Sequence, residues 1–435
     1  MAVSLPAAIG AAHPAVGWRL MAGPAFDSGY ERLEDHEKRL KRRPAGGPWL
    51  IDVIDRSGLR GRGGAWFPTA RKWSATGAAS HGDAVVVING SEGEPLSSKD
   101  RTLLSLRPHL VLDGAALAAE SIGATDIVLY LSRESRGTNR AVDRALAERE
   151  RAGLHEPPIK VVGTAHRYIA GESSAAINRV SGGPSKPKFS LQRAAEKGVD
   201  DRPTLVQNAE TMAHVATIAR YGSDWFRKLG TERSPGSTLL TLCGNVRRPG
   251  VYEVDLGARL GSILDAVGGT LTPPAGALVG GYFGTWVASQ ALAGLPLDAE
   301  RLRAEHGGSL GCGVIAVLPS NACGIIESTR ILTYLAAETS GQCGPCVNGL
   351  AALSEAMERI ASSAPQPGDL ERVRRWIGMV RGRGACHHPD GAVGQLAGAL
   401  SAFGEHLDVH MSRRRCPGLD VPGFPPPPPS GDRWR

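Results

Sequence analysis

The chain has 435 residues, a formal net charge of +7 at pH 7 and 42% hydrophobic content, enough for roughly two to four domains with ordinary cores. No apolar run reaches the ~18–20 residues of a membrane-spanning helix, and the basic bursts at Lys38–Arg43 and Arg413–Arg415 lack the interleaved aromatics or motif that nucleic-acid binding demands. Seven cysteines, four of them after residue 340, fit a cytosolic metal site better than a secreted disulfide framework.

Residues 1–45 carry little pattern. Met1 to Ala12 is apolar without a basic flank and reads as a disordered or docking extension, not a signal peptide. Order begins at Trp49. Ala84–Ile88, Asp126–Leu131 and Ile159–Val162 are apolar runs of strand length, alternating with helical spacing over Leu103–Ile122 and Arg140–Ala152. That alternation argues a parallel α/β sheet covered on both faces, spanning 46–229. A linker at Gly230–Gly236 leads to the strand Ser237–Leu242, a turn at Gly244–Gly250, a returning strand Val251–Val254 and a helix Leu260–Val267. This is the pattern of a compact β-grasp-like α+β unit over 236–322. Helical periodicity then dominates 325–416, in Thr329–Thr339, Cys346–Ile360, Asp369–Val380 and Gly391–Val409. The proline-rich end, 417–435, reads as a disordered tail.

Two motifs carry chemistry. In Arg60-Gly61-Arg62-Gly63-Gly64-Ala65-Trp66-Phe67-Pro68-Thr69-Ala70-Arg71-Lys72-Trp73, glycines let backbone N–H groups approach an anion, and Arg62 and Lys72 add positive charge for a phosphate. Alone, such a loop is equally a simple turn. Gln342-Cys343-Gly344-Pro345-Cys346 with Cys386 supplies three thiolates suited to an iron–sulfur cluster; by themselves the same residues suit zinc or redox chemistry.

Together these residues resemble the NADH-binding flavoprotein subunit of respiratory complex I and its relatives in soluble hydrogenases and formate dehydrogenases. The loop is similar to that family's RGRGGAGFPTGxKW. Asn89–Pro95 with Lys99–Arg101 resembles NADExEPG…KDR, Tyr168–Ala175 resembles YxxGEETA, Pro203–Thr211 resembles PTxVNNVET, and Glu338–Cys346 resembles ESCGxCxPC. The resemblance covers about residues 46–410 and implies a Rossmann-like FMN-binding domain, a soluble-ligand-binding (SLBB) β-grasp domain and a C-terminal helical bundle carrying a cluster, expected to be 4Fe–4S. FMN would be held by Gly61, Arg62, Gly63, Gly64 and Lys72, framed by Asn89 and Glu92, and enclosed by Tyr168, Gly171, Glu172, Asn208 and Thr211. NADH or NADPH would lie over the flavin, its adenine against Phe67 and its polar parts near Glu94. The implied function is an NAD(P)H dehydrogenase module passing electrons through FMN and the cluster to a ferredoxin-like or membrane-bound acceptor, at the cytoplasmic side and without a membrane span of its own. The alternatives are a silent electron-relay or assembly subunit, and a β-grasp binding protein on a flavin-domain scaffold.

The departures from the pattern are specific. Trp66 replaces a glycine beside the cofactor face, where an indole either blocks the dinucleotide or stacks on it. Ser91 and Ser173 replace acidic residues, which eases formation of an anionic reduced flavin and lessens repulsion of a 2′-phosphate. Ser340 stands where the first cluster cysteine belongs. Oxygen ligation by Ser340, a three-iron cluster, or a substitute cysteine each answer this, and Cys416 is the substitute expected here. Cys243, Cys312 and Cys323 read as packing residues, and His387 and His388 as solvent-facing loop residues.

Overall fold

The computed structural model describes residues 19–24, 29–416, 418, 421–428 and 434. The β-branched runs become four parallel strands, β1 (Ala84–Gly90), β2 (Ala124–Ser132), β3 (Ile159–Thr164) and β4 (Thr204–Asn208), in the order β3-β2-β1-β4. Strand alternation splits β1 between two cores. Val86 and Ile88 pack with helix Pro108–Ile122 and helix Ala209–Arg227, while Val85 and Val87 pack with Tyr130, Val199 and Ala176 of helix Ser173–Val180. Both faces are therefore dry, which is why the strand is a continuous apolar run. The helix expected over Leu103–Ile122 is two helices, Lys99–Leu106 and Pro108–Ile122. Pro108 bars helical backbone at Arg107 and starts the second helix itself.

The amino-terminal segment is not a free extension where it is described. Leu20 and Met21 are buried, and the N–H groups of Arg19, Leu20 and Met21 donate to Glu253 Oε2 at 3.0, 2.9 and 3.1 Å. Helix Leu33–Leu40 docks through His36, whose Nε2 lies 2.9 Å from Asp113. Composition conceals this because the partners are charges in later domains. Met1 to Ala12 lies outside the described residues.

The β-grasp region is a five-stranded mixed sheet, β5 (Ser237–Gly244), β6 (Gly250–Asp255), β7 (Pro274–Val279), β8 (Thr285–Ala288) and β9 (Val314–Pro319), ordered β6-β5-β9-β7-β8, with only β5 and β9 parallel. Beyond it come helix Gly324–Ala337, a π-helical turn Pro345–Leu350, and helices Ala351–Ala361, Asp369–Val380, His388–Ala402 and Gly404–Met411. The single helix expected over Gly391–Val409 breaks at Phe403, which packs its ring edge-on to Trp286 of β8 at 5.0 Å. The proline-rich end also differs from a free tail: Phe424 is buried and stacks on Trp286 at 5.8 Å, and the Arg167 guanidinium lies 4.1 Å from the Trp434 ring. The two aromatics decide this against the proline signal. Among the described residues no helix is long and apolar enough to cross a membrane.

Candidate functional site

The glycine-rich loop is a closed hairpin-like turn beside β4. Gly61 N donates to Phe67 O at 2.9 Å and Thr69 N to Leu59 O at 3.0 Å. Gly64 has φ +108, a conformation only glycine adopts without strain, and a Cβ on Gly63 would approach Asn208 Cβ to 3.2 Å. The loop therefore lies against the carboxyl end of β4, the edge at which open α/β sheets bind ligands.

Arg62 does not serve as a phosphate cation. Its guanidinium is buried, donating to Arg60 O at 2.9 Å and Ser237 O at 3.0 Å and lying 3.7 Å from Glu210. Burial lowers its pKa to about 10 despite Glu210. Its backbone N–H is also used, donating to Thr211 Oγ1 at 2.9 Å. Both residues thus tie the loop to the sheet and to the β-grasp strand β5. Lys72 is the cation left for an anion. It is half-buried and burial lowers its pKa; among the described residues its Nζ meets only Val206 O, at 3.4 Å, and no carboxylate stands beside it.

Trp66 neither blocks nor stacks over the open face. Its φ is +53, the left-handed backbone that a glycine would supply, and its side chain turns into the β-grasp core among Leu240, Val279 and Leu310. The indole N–H donates to Gly311 O at 2.8 Å, and Arg62 lies over the ring at 4.5 Å. The left-handed backbone costs roughly 1–2 kcal/mol, which burial of the indole offsets. Phe67, one residue on, is 45% exposed on the open side. Trp66→Gly is expected to lower stability by about 2–4 kcal/mol, the lost packing outweighing the relieved strain. NADH oxidation per bound flavin should be unchanged; a faster rate would show that the indole does obstruct the site.

The other framing residues are largely bound to one another. Asn89 Nδ2 donates to Gly171 O at 2.7 Å, and Ser91 Oγ donates to Asn89 Oδ1 at 2.8 Å. Glu92, expected to face the flavin, accepts from Ser97 Oγ, Asp100 N and Arg101 Nε at 2.7, 2.9 and 2.9 Å, and so caps helix Lys99–Leu106. Glu172 likewise caps helix Ser173–Val180 through Ser174 N and Ala175 N, and Asn208 caps helix Ala209–Arg227 through Glu210 N. Glu94 is buried, accepting from Tyr168 OH at 3.0 Å and Tyr282 N at 2.8 Å; burial raises its pKa to about 7. It joins three segments and is not open to solvent.

Two residues inside the Pro203–Thr211 segment matter beyond those singled out from sequence. Gln207 is buried with Nε2 unpartnered, and its Oε1 lies 3.9 Å from the Cβ position of Gly61. An unpaired buried donor beside the loop, with Lys72 lacking a counter-charge, suits a polar, anionic cofactor. Glu210 is fully buried: Oε2 lies 2.8 Å from Lys99 Nζ, and Oε1 accepts from Thr238 Oγ1 and Leu239 N at 2.9 and 2.8 Å. Burial pushes its pKa up, but Lys99, His214 and Arg62 together hold it below the usual carboxylate range. Their neighbourhood to Asn208 was the available signal; their long-range partners were not.

Cys343 and Cys346 lie at the start of the π-helical turn, where Cys346 N donates to Cys343 O at 3.2 Å. Burial and the neighbouring thiols of Cys343 and Cys386 push the Cys346 thiol up to about 12, so Cys386 acts on a thiol forty residues before it. Among the described residues these sulfurs do not close around a single-ion volume; a cluster is wider than one ion. Ser340 lies on the same loop, its carbonyl accepting from Lys186 Nζ at 3.3 Å. Cys416, expected to complete this set, is placed elsewhere: its neighbours are Cys323 and His410. The chain breaks at Phe403 and starts a separate helix, Gly404–Met411, after which Cys416 meets Cys323. His387 is exposed as expected, whereas His388 is buried, with Nε2 2.7 Å from Leu335 O. Its ring and those of Tyr282, Phe283 and Tyr334 surround Tyr168 at 4.6–6.3 Å, packing the segment next to Cys386 against the flavin-side loop.

Comparison with known proteins agrees with this geometry. Residues 54–217 match the Nuo51 FMN-binding domain, 239–281 the SLBB domain, and 327–410 the NADH-ubiquinone oxidoreductase-F iron-sulfur binding region. The chain is 32% identical over 381 residues to the F 2 subunit of NADH-quinone oxidoreductase from Rhizobium meliloti, covering 85% of this chain and 90% of that one. It is 29% identical to the HndC subunit of the NADP-reducing hydrogenase from Solidesulfovibrio fructosivorans, covering 89% and 80%. An NAD+-reducing [NiFe]-hydrogenase crystal structure superposes with TM-score 0.78 at 28% identity, over 87% of this chain and 67% of the other. With three family regions in order and relatives matched nearly end to end, the chain belongs to the family of NADH-quinone oxidoreductase F subunits, as an oxidoreductase component with an FMN-binding domain, an SLBB domain and an iron–sulfur region.

Proposed function

We propose that this chain oxidises NADH or NADPH and delivers the electrons singly to an acceptor on another protein of a complex, ferredoxin-like or membrane-bound, at the cytoplasmic side. The observation that carries this reading is the packing of His388, two residues after Cys386, on Tyr168 at 6.0 Å, which puts the cysteine-bearing segment against the flavin-side edge of the sheet and supports a one-electron exit there. FMN, when bound, supplies the conversion between a two-electron donor and a one-electron acceptor. The chain's own part is positional. Lys72 and Gln207 offer the groups for the polar, anionic end of the cofactor, Gly61, Gly63 and Gly64 let it approach the backbone, and Asn89 with Gly171 forms the rim. The exposed Phe67 offers a ring face for the adenine.

For the cluster, Cys343, Cys346 and Cys386 are the three thiolate ligands and Ser340 occupies the fourth position. Ser91 and Ser173 stand where the family pattern has carboxylates, so two fewer negative charges are there to repel a 2′-phosphate. Anaerobic titration of the holoprotein should therefore bleach the flavin with NADH and also with NADPH. Colour that persists with both donors would sink the dehydrogenase reading in favour of a silent subunit; bleaching with NADH alone would remove NADPH. Lys72→Ala should weaken FMN binding by about 10–100-fold, the effect of losing a hydrogen bond to a charged group, measured by fluorescence of released flavin. Unchanged retention would show that Lys72 is not the phosphate partner.

A further inference from the structure

The cysteine displaced from the cluster sits in a second group of metal-type donors. Cys323 immediately precedes helix Gly324–Ala337, and Cys416 follows helix Gly404–Met411, which carries His406 and His410 one turn apart on the same face. The donor atoms of Cys323, His410 and Cys416 all lie within 4.8 Å of one another, and all three residues are buried. His410 Nε2 is 3.3 Å from Cys323 Sγ, and His406 Nδ1 is 3.2 Å from the same sulfur. We propose that Cys323, Cys416, His410 and His406 form a structural zinc site, separate from the iron–sulfur centre, that clamps the last helix to the start of the helical region.

The donor set suits zinc. Two thiolates and two imidazoles, without a carboxylate, are the ligands of closed tetrahedral zinc sites. Zinc–ligand bond lengths imply sulfur–nitrogen separations of roughly 3.6 Å around the ion; the two imidazoles already lie 3.3 and 3.2 Å from Cys323 Sγ, while His406, outside the tight group of Cys323, His410 and Cys416, must swing toward the other two to close the site. The tautomer of His410 is also set. Ser363 Oγ donates to Arg414 O at 2.8 Å and therefore accepts from His410 Nδ1 at 3.0 Å. The proton is then on Nδ1, and the Nε2 lone pair faces Cys323. This outer hydrogen bond is the kind that orients metal-bound histidines. Burial and the adjacent Cys416 raise the Cys323 thiol above its ordinary pKa. A dication reverses that cost: two thiols lose two protons on binding, and two thiolates with two neutral imidazoles leave the site uncharged.

The position explains why such a clamp is useful. Helix Gly404–Met411 spans eight residues, too short to be stable alone, and the chain after it must return so that Phe424 reaches Trp286.

The test uses the full-length protein reconstituted with iron, sulfide and FMN, exposed to equimolar Zn²⁺ and passed over a weak chelator. Elemental analysis should find about one zinc per chain, and zinc X-ray absorption should show both sulfur and nitrogen neighbours. Cys416→Ser and His410→Ala should each lower zinc retention by more than ~10-fold, as loss of a direct ligand must exceed the effect of an outer-shell change, while iron and FMN contents stay unchanged. His406→Ala, at a half-buried position, repeats the test with less risk to folding. The absorption spectrum of the unmodified protein decides the matter even if every variant misfolds. Absence of retained zinc, zinc with only oxygen neighbours, iron lost from Cys416→Ser, or a Cys323–Cys416 disulfide in the anaerobically purified protein would each overturn the proposal.

Discussion

Cys386→Ala is expected to separate nicotinamide oxidation from electron exit. NADH should still bleach the flavin, because the FMN-side residues lie on the glycine-rich loop and at the carboxyl edges of β1 and β4. Cluster binding should fall by more than ~100-fold, since even loss of an outer-shell partner costs 10–100-fold in metal affinity. Iron and sulfide content and the electron paramagnetic resonance of the reduced protein would record the loss, and reduction of a one-electron acceptor through the cluster should fall to background. Ser340→Ala should alter that resonance while Ser340→Cys preserves a cluster. Cys416→Ser should leave iron unchanged, because Cys416 stands beside Cys323 and His410. Full iron content in Cys386→Ala would refute the ligand assignment.

Glu210→Ala should be the most destabilising single change in the flavin domain, at about 3–5 kcal/mol, the usual cost of stranding a buried charge. Two buried cations face this carboxylate: Lys99 would keep Asp100 Oδ1 at 2.9 Å, whereas Arg62 would lose the one carboxylate beside it among the described residues. The same change removes the acceptor for Thr238 Oγ1 and Leu239 N, which hold β5 of the β-grasp sheet to helix Ala209–Arg227. Glu210→Gln retains an oxygen for those two donors and should cost less. Comparing the chemical unfolding of the two variants would test this; equal stability of Glu210→Ala and the unaltered protein would contradict the network. The ordinary pKa of a glutamate is far above the value that Lys99 and Arg62 impose here, so this carboxylate's contribution is present above the usual carboxylate range and is lost as pH falls through and below it.

Much of the fold was legible because local pattern and tertiary role coincide. Ala84–Ile88 is apolar throughout and is buried on both faces; Asp369–Val380 has helical spacing and forms that helix residue for residue. The helix over 391–409 was misread because Phe403 ends it by packing on Trp286, a partner more than a hundred residues away. At the site, the glycine loop and the three convergent cysteines were visible as motifs. Which of their groups are free was not. Glu92, Glu172 and Asn208 appear in sequence as polar residues beside a ligand loop, yet each caps a helix that the fold happens to begin there.

By itself the sequence determined the α/β, β-grasp and helical order, since these rest on periodicity and turn placement, while the anion-binding loop and the iron–sulfur exit were legible only through the resemblance that several motifs in fixed order carry. Only the tertiary structure decided the direction of Trp66 and Arg62 into the domain seam, the anchoring of Arg19, Leu20 and Met21 on Glu253, and the placement of Cys416 beside Cys323 and His410. Each of those outcomes depends on a partner distant in the chain, and burial of a charge, an indole or a thiol is settled by whichever distant group can satisfy it.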